Sequence, residues 1–270
     1  MHQRYLLELS YKGTAYDGWQ VQKNTSNTIQ RVVHEKLSQL LQDEITVIAS
    51  GRTDAGVHAR QNFAHFDTAR ALPDTFLRRL NFMLPFDIAA NYLFQVDHDF
   101  NARFDATSRS YEYLLCYDKN PFLNDFSCFY PYPELSIEKL NEASKFLAEQ
   151  TDFASFSKKR TQVKTTLCKI THAQWQLDPG KRIVRFNITA DRFLRGMVRG
   201  IVATSLRYAR EKISMEMLQA ITESKQPHKT DFSAPAQGLT LTSVTYPEGF
   251  LREFPGGGRG GKNGRLTIDD

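Results

Sequence analysis

The spacing of apolar and polar residues predicts six elements in the first hundred residues. Apolar side chains alternate with polar ones over residues 5–11, which is typical of a half-buried strand. They recur at helical spacing from Ile29 to Leu41, directly after Asn27 and Thr28, either of which is a plausible N-cap. The other elements are strands at 45–49 and 62–67, a helix from Pro73 to Met83 and a strand at 88–96.

The same patterns continue through the rest of the chain. Two predicted strands, 165–177 and 182–190, flank the turn Asp178-Pro179-Gly180 and form a hairpin. The remaining elements are strands at 109–117 and 239–246 and helices at 137–147, 191–210 and 214–223, with Ser136 and Asp191 as N-caps.

The order of these elements indicates an α+β fold. Its first part runs strand, helix, strand, strand, helix, strand, which favours an antiparallel sheet with helices on one face. A chain of 270 residues can bury a sizeable core, and two closely joined domains are expected. Hydrophobic residues make up 41% and charged residues 24%, as in an ordinary soluble protein.

The net charge and the cysteine content give only weak indications of the protein's binding partners and cellular compartment. The net charge of +5 favours a polyanionic partner, although many enzymes of small metabolites are as basic. Cys116, Cys128 and Cys168 are widely spaced, which argues for free thiols rather than a disulfide framework or a zinc site. No apolar run approaches the ~20 residues that span a bilayer, and no signal-peptide core precedes the first strand. A cytoplasmic protein without membrane contact is therefore expected.

The loop after the predicted strand 45–49 carries the clearest candidate chemistry. Gly51 and Gly56 bracket a polar turn in which Arg52 and Asp54 stand two residues apart. Glycine permits a close approach by a ligand or another backbone, and a loop on a rigid strand can present a reactive acid. On spacing alone, a charged pair that only stabilises the turn is the more frequent arrangement.

The residues of this loop resemble a known family. The run Gly-Arg-Thr-Asp-Ala-Gly-Val-His-Ala at 51–59 is similar, without a gap, to the signature loop of the tRNA pseudouridine synthase A family. The resemblance extends over about residues 4–247. It implies that Asp54 is the nucleophile, that Tyr111 packs against the target uracil and that Arg199 forms an ion pair with Asp54.

The resemblance also implies an architecture and partners. Two similar halves, 1–105 and 106–248, would join their antiparallel sheets into one curved sheet, with helices on one face and the active cleft on the other. Residues 249–270 would form a Gly-rich basic tail. The family is homodimeric, acts on the anticodon stem-loop of tRNA and needs no metal or organic cofactor.

Three positions depart from the family's pattern. Lys12 stands where an Asp is common, Gly196 where a His is common, and Gly200 where an Asn is common. The two glycines flank the Met-Val-Arg element at 197–199. They therefore change the immediate neighbours of Arg199.

The chemistry explains why these residue types are needed. Pseudouridine formation breaks the N1–C1′ bond and rejoins the uracil through C5, so the base must leave its stack. A carboxylate can attack C1′ or move a proton, and burial disfavours its charge. Arg199 is therefore expected to keep Asp54 ionised, whereas Arg192 and Arg195 are typical of exposed arginines. Arg52 is expected to position the substrate through its phosphates.

Several segments allow two interpretations. The loop 12–22 suits either a packed connection around a tryptophan or a surface that faces nucleotides. The aromatic stripe at 109–117 is more typical of a core, although Arg103 and Arg109 ahead of it suit a phosphate and a base. In the basic run 158–164 each lysine is typical of a solvated loop, and the group is typical of a phosphate-contacting arm.

Two other functions compete with the isomerase. An RNA chaperone would bind tRNA in a basic cleft without chemistry. A metal-dependent hydrolase would use Asp54, His58, His65 and Asp67, but no HExxH or comparable spacing is present. Both rank below the isomerase.

Overall fold

The computed structural model describes residues 2–158, 164–256 and 258. Within them, ten strands form one sheet. The strands are β1 (Gln3–Tyr11), β2 (Ile48–Ala49), β3 (His58–Thr68), β4 (Ile88–Val96), β5 (Ser108–Cys116), β6 (Cys128–Phe129), β7 (Ile170–Asp178), β8 (Ile183–Ala190), β9 (Leu239–Thr245) and β10 (Arg252–Glu253).

Five α-helices accompany the sheet in this part of the chain. They are α1 (Ile29–Leu41), α2 (Phe76–Met83), α3 (Ile137–Ala148), α4 (Met197–Ala209) and α5 (Met215–Glu223). Thr28, Ser136 and Ser214 cap α1, α3 and α5, because each side-chain oxygen accepts a hydrogen bond from the backbone N–H three residues later. The predicted caps Thr28 and Ser136 are confirmed.

A single parallel contact joins the two halves of the sheet. The strand order is β10-β4-β1-β3-β9-β5-β8-β7, with β2 beside β3 and β6 beside β5. The long strands within each half pair antiparallel. The strands β3 and β9 meet in parallel, with His58 opposite Thr240 and Ala59 opposite Leu241. The expected α+β fold with one continuous sheet is confirmed.

The helices cover one face of this sheet. In the first half, Phe76 of α2 stacks on Phe66, with 6.3 Å between ring centroids, and Phe66 lies opposite Tyr5 of β1. In the second half, the Trp175 indole donates to Ser144 of α3 at 2.9 Å. Two apolar cores result, one under α1 and α2 and one under α3, α4 and α5.

The opposite face of the central strands carries charged side chains. Glu112, between Tyr111 and Tyr113 on β5, is buried and accepts from the guanidinium groups of Arg60 on β3 and Arg185 on β8. A buried carboxylate needs such partners to offset its desolvation. The two faces therefore differ sharply in polarity.

Several predicted boundaries are wrong. The strand predicted at 45–49 begins at Ile48, and the strand predicted at 62–67 begins at His58. The helix of 191–210 begins at Met197, because Gly196 adopts φ +74° and ends the preceding loop. Asp191 does not cap it; its carboxylate accepts from the backbone N–H groups of Lys169 and Arg192. The second helix begins at Phe76, after a turn in which the Phe76 N–H bonds to the Pro73 carbonyl. The strand predicted at 165–177 begins at Ile170.

Part of the chain after β9 belongs to the sheet. Residues 252 and 253 form β10, which pairs with β4, and the Phe254 N–H donates to the Leu93 carbonyl at 2.9 Å. Most of the predicted Gly-rich tail, Gly257 and residues 259–270, lies outside the described residues, as do 159–163 of the basic run. Where the structure describes the chain, no helix has both the length and the apolar character to cross a bilayer.

Candidate active site

Backbone hydrogen bonds hold the loop that carries Asp54. The N–H of Trp19 donates to the Thr53 carbonyl at 3.0 Å, and the N–H of Val57 donates to the Asp54 carbonyl at 3.1 Å. The N–H of Gly56 donates to the Tyr16 carbonyl at 3.2 Å. The backbone is thus fixed on both sides of Asp54, while 24% of its side chain stays exposed to solvent.

Gly18 allows the supporting loop to approach this closely. It adopts φ +92°, and a Cβ at this position would lie 2.7 Å from the Thr53 carbonyl oxygen. The next residue, Trp19, is 2% exposed and lies against Tyr11 with 5.9 Å between ring centroids. Trp19 is therefore packed, as the first of the two interpretations of loop 12–22 expects.

A buried hydrogen-bond chain continues below the loop. The Tyr11 hydroxyl lies 2.9 Å from Thr53 Oγ1 and accepts from the Asn62 amide at 3.0 Å. Burial raises the pKa of Tyr11 to about 12, so its hydroxyl keeps its proton and its hydrogen bonds at neutral pH. The chain links β1, β3 and the residue next to Asp54 into one rigid unit.

Tyr111 lies beside this unit. Its ring contacts Phe193 edge to face, with centroids 5.1 Å apart. Burial, followed by the nearby Tyr11 and Asp54 charges, raises the pKa of its phenol above the usual range. The structure therefore brings Tyr111 and Asp54 into one neighbourhood.

The position of the cleft differs from the expectation. Tyr111 lies on the same face of β5 as Tyr113, whose ring belongs to the core under α3 and α4. The candidate site thus opens on the helix-bearing face, at the seam between the two helical layers. The opposite face is occupied there by the paired Glu112. Alternation along β5 determines this, because residues 111 and 113 must share a face.

The arginine nearest Asp54 is not the expected one. Among the described residues, the ion pair of Asp54 is with Arg195, whose Nε lies 3.9 Å from Oδ1. Arg199 instead donates from Nε to the Ala234 carbonyl at 2.6 Å and from Nη2 to the Phe232 carbonyl at 3.3 Å. These two bonds leave Nη1 of Arg199 without a described acceptor. Arg195, predicted to be a surface arginine, thus belongs to the site.

Arg52 points outward from the same loop. Its side chain is largely exposed near Arg103, and partial desolvation, followed by this like charge, lowers the pKa of Arg52. The Arg103 guanidinium lies over the ring of Phe104, 5.5 Å from its centroid, and that ring is 76% exposed. Two cations and an exposed ring at the mouth of the loop are suited to a nucleic-acid backbone and a base.

Arg109 faces inward and holds three loops together. Its Nη1 donates to the carbonyls of Ala106 and Asp191, both at 2.8 Å. Its Nη2 donates to the carbonyls of Ser50 at 3.1 Å and Arg103 at 2.6 Å. All four acceptors are neutral, and burial lowers the pKa of this guanidinium. The start of the Asp54 loop is thereby tied to the start of the segment that carries Arg195.

The proposed metal ligands have other partners. His58 accepts from the Gly13 N–H at Nδ1 (3.0 Å) and lies 3.1 Å from the Gln237 carbonyl at Nε2. His65 accepts from the Ala102 N–H, and Asp67 accepts two bonds from Arg4. Within the described ranges, no group of three or more His, Cys, Asp or Glu side chains is placed to hold a metal ion. Both histidines serve as structural acceptors.

Sequence patterns missed the roles of Arg109 and Arg195. Both belong to stretches rich in arginine, and nothing in the spacing tells which guanidinium turns inward. The acceptors of Arg109 lie up to 82 residues away along the chain. The role of Arg109 can be recognised only from the fold, which brings these acceptors together at the seam between the two helical layers.

Known proteins support the same interpretation. A family model described as tRNA pseudouridine synthase matches residues 9–105 and 145–247. The chain is 44% identical over 253 residues to a tRNA pseudouridine synthase A of Bacteroides thetaiotaomicron, with 93% of each chain covered.

Two further relatives carry the same name. The protein of Porphyromonas gingivalis is 42% identical over 249 residues, covering 90% of this chain and 97% of the relative. That of Bdellovibrio bacteriovorus is 38% identical over 248 residues, covering 89% and 94%. The match spans both halves of the sheet and the Asp54 loop. The chain therefore belongs to the tRNA pseudouridine synthase family.

Proposed function

We propose that this protein isomerises uridine to pseudouridine in the anticodon stem-loop of tRNA, and that Asp54 performs the chemistry. The observation that carries this proposal is the Asp54 carboxylate on a fixed loop, open to solvent beside Tyr111 and Arg195. Membership of the family supports the reaction class.

The reaction requires a base that is extruded and then retained. The N1–C1′ bond breaks and a C5–C1′ bond forms, while C5 loses a proton and N1 gains one, so no redox partner is needed. Tyr111 would lie against the uracil, and such stacking contributes roughly 1–3 kcal/mol per base. Asp54 would attack C1′ or take and return a proton while the uracil turns.

An opposite charge beside Asp54 would orient its carboxylate for the reaction. Arg195 supplies this charge in the free protein, at 3.9 Å. We propose that Arg199 joins it when RNA fills the cleft. Its Nε and Nη2 are held by the Ala234 and Phe232 carbonyls, which orient the guanidinium and leave Nη1 available.

Arg52 and Arg103 would contact phosphates of the same nucleic acid. They flank the Asp54 loop as exposed cations, and Phe104 offers a ring to an unstacked base. Phosphate contacts set the register of a complex without reading its sequence. Replacing Arg52 is therefore expected to weaken binding to every substrate tRNA alike.

Other features of the family are proposals for this chain. We infer a cytoplasmic homodimer that needs no metal or organic cofactor, built from the halves 1–105 and 106–248. Light scattering of the purified protein tests the dimer, and full activity in a chelator tests metal independence.

The decisive experiment replaces Asp54 with Asn. This change keeps the size of the side chain and removes the nucleophilic charge. Tritium release from tRNA labelled at uridine C5 should fall to background, while tRNA binding changes little. If the Asp54→Asn protein still released tritium, the proposed role of Asp54 would be wrong.

Wild-type protein provides the complementary outcome. If it bound tRNA with a normal salt dependence but released no tritium from any tRNA, the chaperone would replace the isomerase.

A further inference from the structure

The two glycines that depart from the family's pattern have close neighbours. A Cβ on Gly196 would lie 3.0–3.2 Å from three carbons of the Lys158 side chain, and Gly196 also adopts φ +74°. A Cβ on Gly200 would lie 3.0 Å from the ring of Phe232 and 3.1 Å from the Thr230 methyl group. Gly196 therefore makes room for Lys158, and Gly200 makes room for Phe232 and Thr230.

The side chains of Lys158 and Phe232 contact each other. The Lys158 ammonium lies over the Phe232 ring, 5.5 Å from its centroid. A cation at this distance from an aromatic face is attracted by the negative potential of the ring. The stem of Lys158 thus crosses the start of α4, and its charged end is positioned by Phe232.

The backbone places Lys158 next to the candidate site. Its N–H donates to the Arg195 carbonyl at 3.0 Å, which ties it to the residue that pairs with Asp54. Phe232 is also tied there, because its carbonyl accepts from Arg199. Lys158 and Arg199 therefore lie in the neighbourhood of the Asp54–Arg195 pair.

This cluster has an excess of positive charge. Burial lowers the pKa of Lys158, and the nearby Arg199 and Arg195 add to the effect against the opposing influence of Asp54. Within residues 2–158, 164–256 and 258, no carboxylate lies within 4.0 Å of the Lys158 ammonium. An anion that entered the cluster would relieve this repulsion.

We propose that Lys158 binds a backbone phosphate of the RNA next to the target uridine, and that Gly196 and Gly200 are small in order to seat the Lys158–Phe232 pair. The substrate supplies the anion, since an RNA strand carries a phosphate beside every base. This inference rests on the proposed function and adds a binding residue to the same site.

The test compares Lys158→Met with Lys158→Arg and with Lys145→Met. Methionine keeps an unbranched stem over Gly196 and removes the charge, whereas arginine keeps the charge. Lys145 lies on the exposed surface of α3 and serves as the control for a lost positive charge elsewhere. Equilibrium binding of unmodified tRNA is measured at several salt concentrations, together with kcat and KM.

The expected result is a loss of one phosphate contact. Lys158→Met should weaken tRNA binding about tenfold and reduce the slope of log K against log salt by about 0.7–0.9. Lys158→Arg should restore most of the affinity and the slope. The Lys145→Met protein should retain the wild-type slope.

Gly200→Ala independently tests whether a small residue at position 200 is needed to accommodate the Lys158–Phe232 pair. The new methyl group displaces the Phe232 ring and should weaken binding in the wild-type protein. It should have little further effect in the Lys158→Met protein, because both changes act on one contact.

An unchanged salt slope in Lys158→Met would overturn the inference, even if activity fell, because a purely structural lysine would not alter the number of phosphate contacts. That result would leave the role of Asp54 intact. Tritium release by Asp54→Asn protein would overturn the proposed chemistry and leave the phosphate contact standing. The two failures are therefore distinguishable.

Discussion

The acid and the cations of the site are held in different ways. Asp54 lies in a loop that receives backbone hydrogen bonds on both sides, stands over the buried Tyr11 and is approached closely by Gly18. Arg195 and Lys158 sit on long side chains; the side chain of Arg195 is 55% exposed. A reacting group gains from being fixed in advance, whereas groups that bind a flexible strand gain from adjusting to it.

The loop that carries Asp54 is the rigid region of the site, and it is predicted to respond most strongly to backbone changes. Gly18→Ala places a methyl group 2.7 Å from the Thr53 carbonyl oxygen in a backbone conformation that alanine avoids. The loop must shift, and a displacement of about 1 Å in a reacting group can lower the rate about 100-fold. Single-turnover tritium release with saturating tRNA measures this rate.

Gly180→Ala is the matched control for that change. Gly180 lies in the β7–β8 turn, and the nearest atom to a new Cβ would be an Asp178 oxygen at 3.5 Å, an ordinary contact. Activity should stay within about twofold of wild type, as for most surface substitutions. Equal losses in the two variants would contradict the special role of Gly18.

A comparison of Arg195 and Arg199 tests which of these two arginines of the adaptable region acts on Asp54 during the reaction. The Arg195 ion pair is long and half exposed, a class worth at most about 1 kcal/mol, so Arg195→Met should lower kcat fivefold or less. Arg199→Met should lower kcat about 30-fold, because we expect Arg199 to pair with Asp54 in a water-excluded complex. Steady-state kinetics of both variants provides the measurement. The reverse order would make the ion pair of the free protein the catalytic one.

Arg109 connects the two regions. Arg109→Met removes four hydrogen bonds, of which one reaches the loop of Asp54, one the segment of Arg195 and two the loop 103–106. The unfolding free energy should fall by about 1.5–3 kcal/mol, the size expected when hydrogen bonds from a charged donor are lost. We expect kcat to fall about tenfold, because the two loops lose their common anchor.

Arg31→Met provides the comparison for Arg109. Arg31 forms an exposed ion pair with Glu35 one turn along α1, worth about 0.3–0.5 kcal/mol. Thermal and denaturant unfolding should separate the two variants clearly. A stability loss for Arg109→Met as small as this one would show that the carbonyl contacts contribute little.

Local patterns predicted most of the elements but not the contacts between them. The helices, the long strands and the Thr28 and Ser136 caps follow from periodicity and side-chain chemistry within a few residues. The parallel contact of β3 and β9 pairs residues about 180 positions apart. Likewise, Phe232 and Lys158 meet only because α4 brings them together, and no local rule indicates which side chain a glycine will accommodate.

A further predicted effect concerns pH. Burial lowers the pKa of His65 to about 4, below its ordinary value of 6.5, so the folded state resists protonation there. The unfolded chain then binds more protons between these values, and stability falls as the pH drops from 7 to 4. The loss should be about 2 kcal/mol, measured by denaturant unfolding at each pH.

His65→Gln isolates this contribution. Glutamine can still accept from the Ala102 N–H, as His65 does, but it does not titrate. Asp67, whose pKa is lowered mainly by its hydrogen bond with Arg4, is present in both proteins, so that contribution cancels in the difference. If the unfolding free energies of the wild-type and His65→Gln proteins changed equally with pH, His65 would not be responsible for the loss of stability in acid.

A structure of the Asp54→Asn protein with bound tRNA tests the central claim most directly. The account predicts that a uridine of the anticodon stem-loop is flipped out of its helix, with its C1′ within about 4 Å of the side chain at position 54 and its base against Tyr111. The backbone of residues 53–56 should keep its present position. A target uridine bound elsewhere, with residue 54 facing only solvent, would contradict the account.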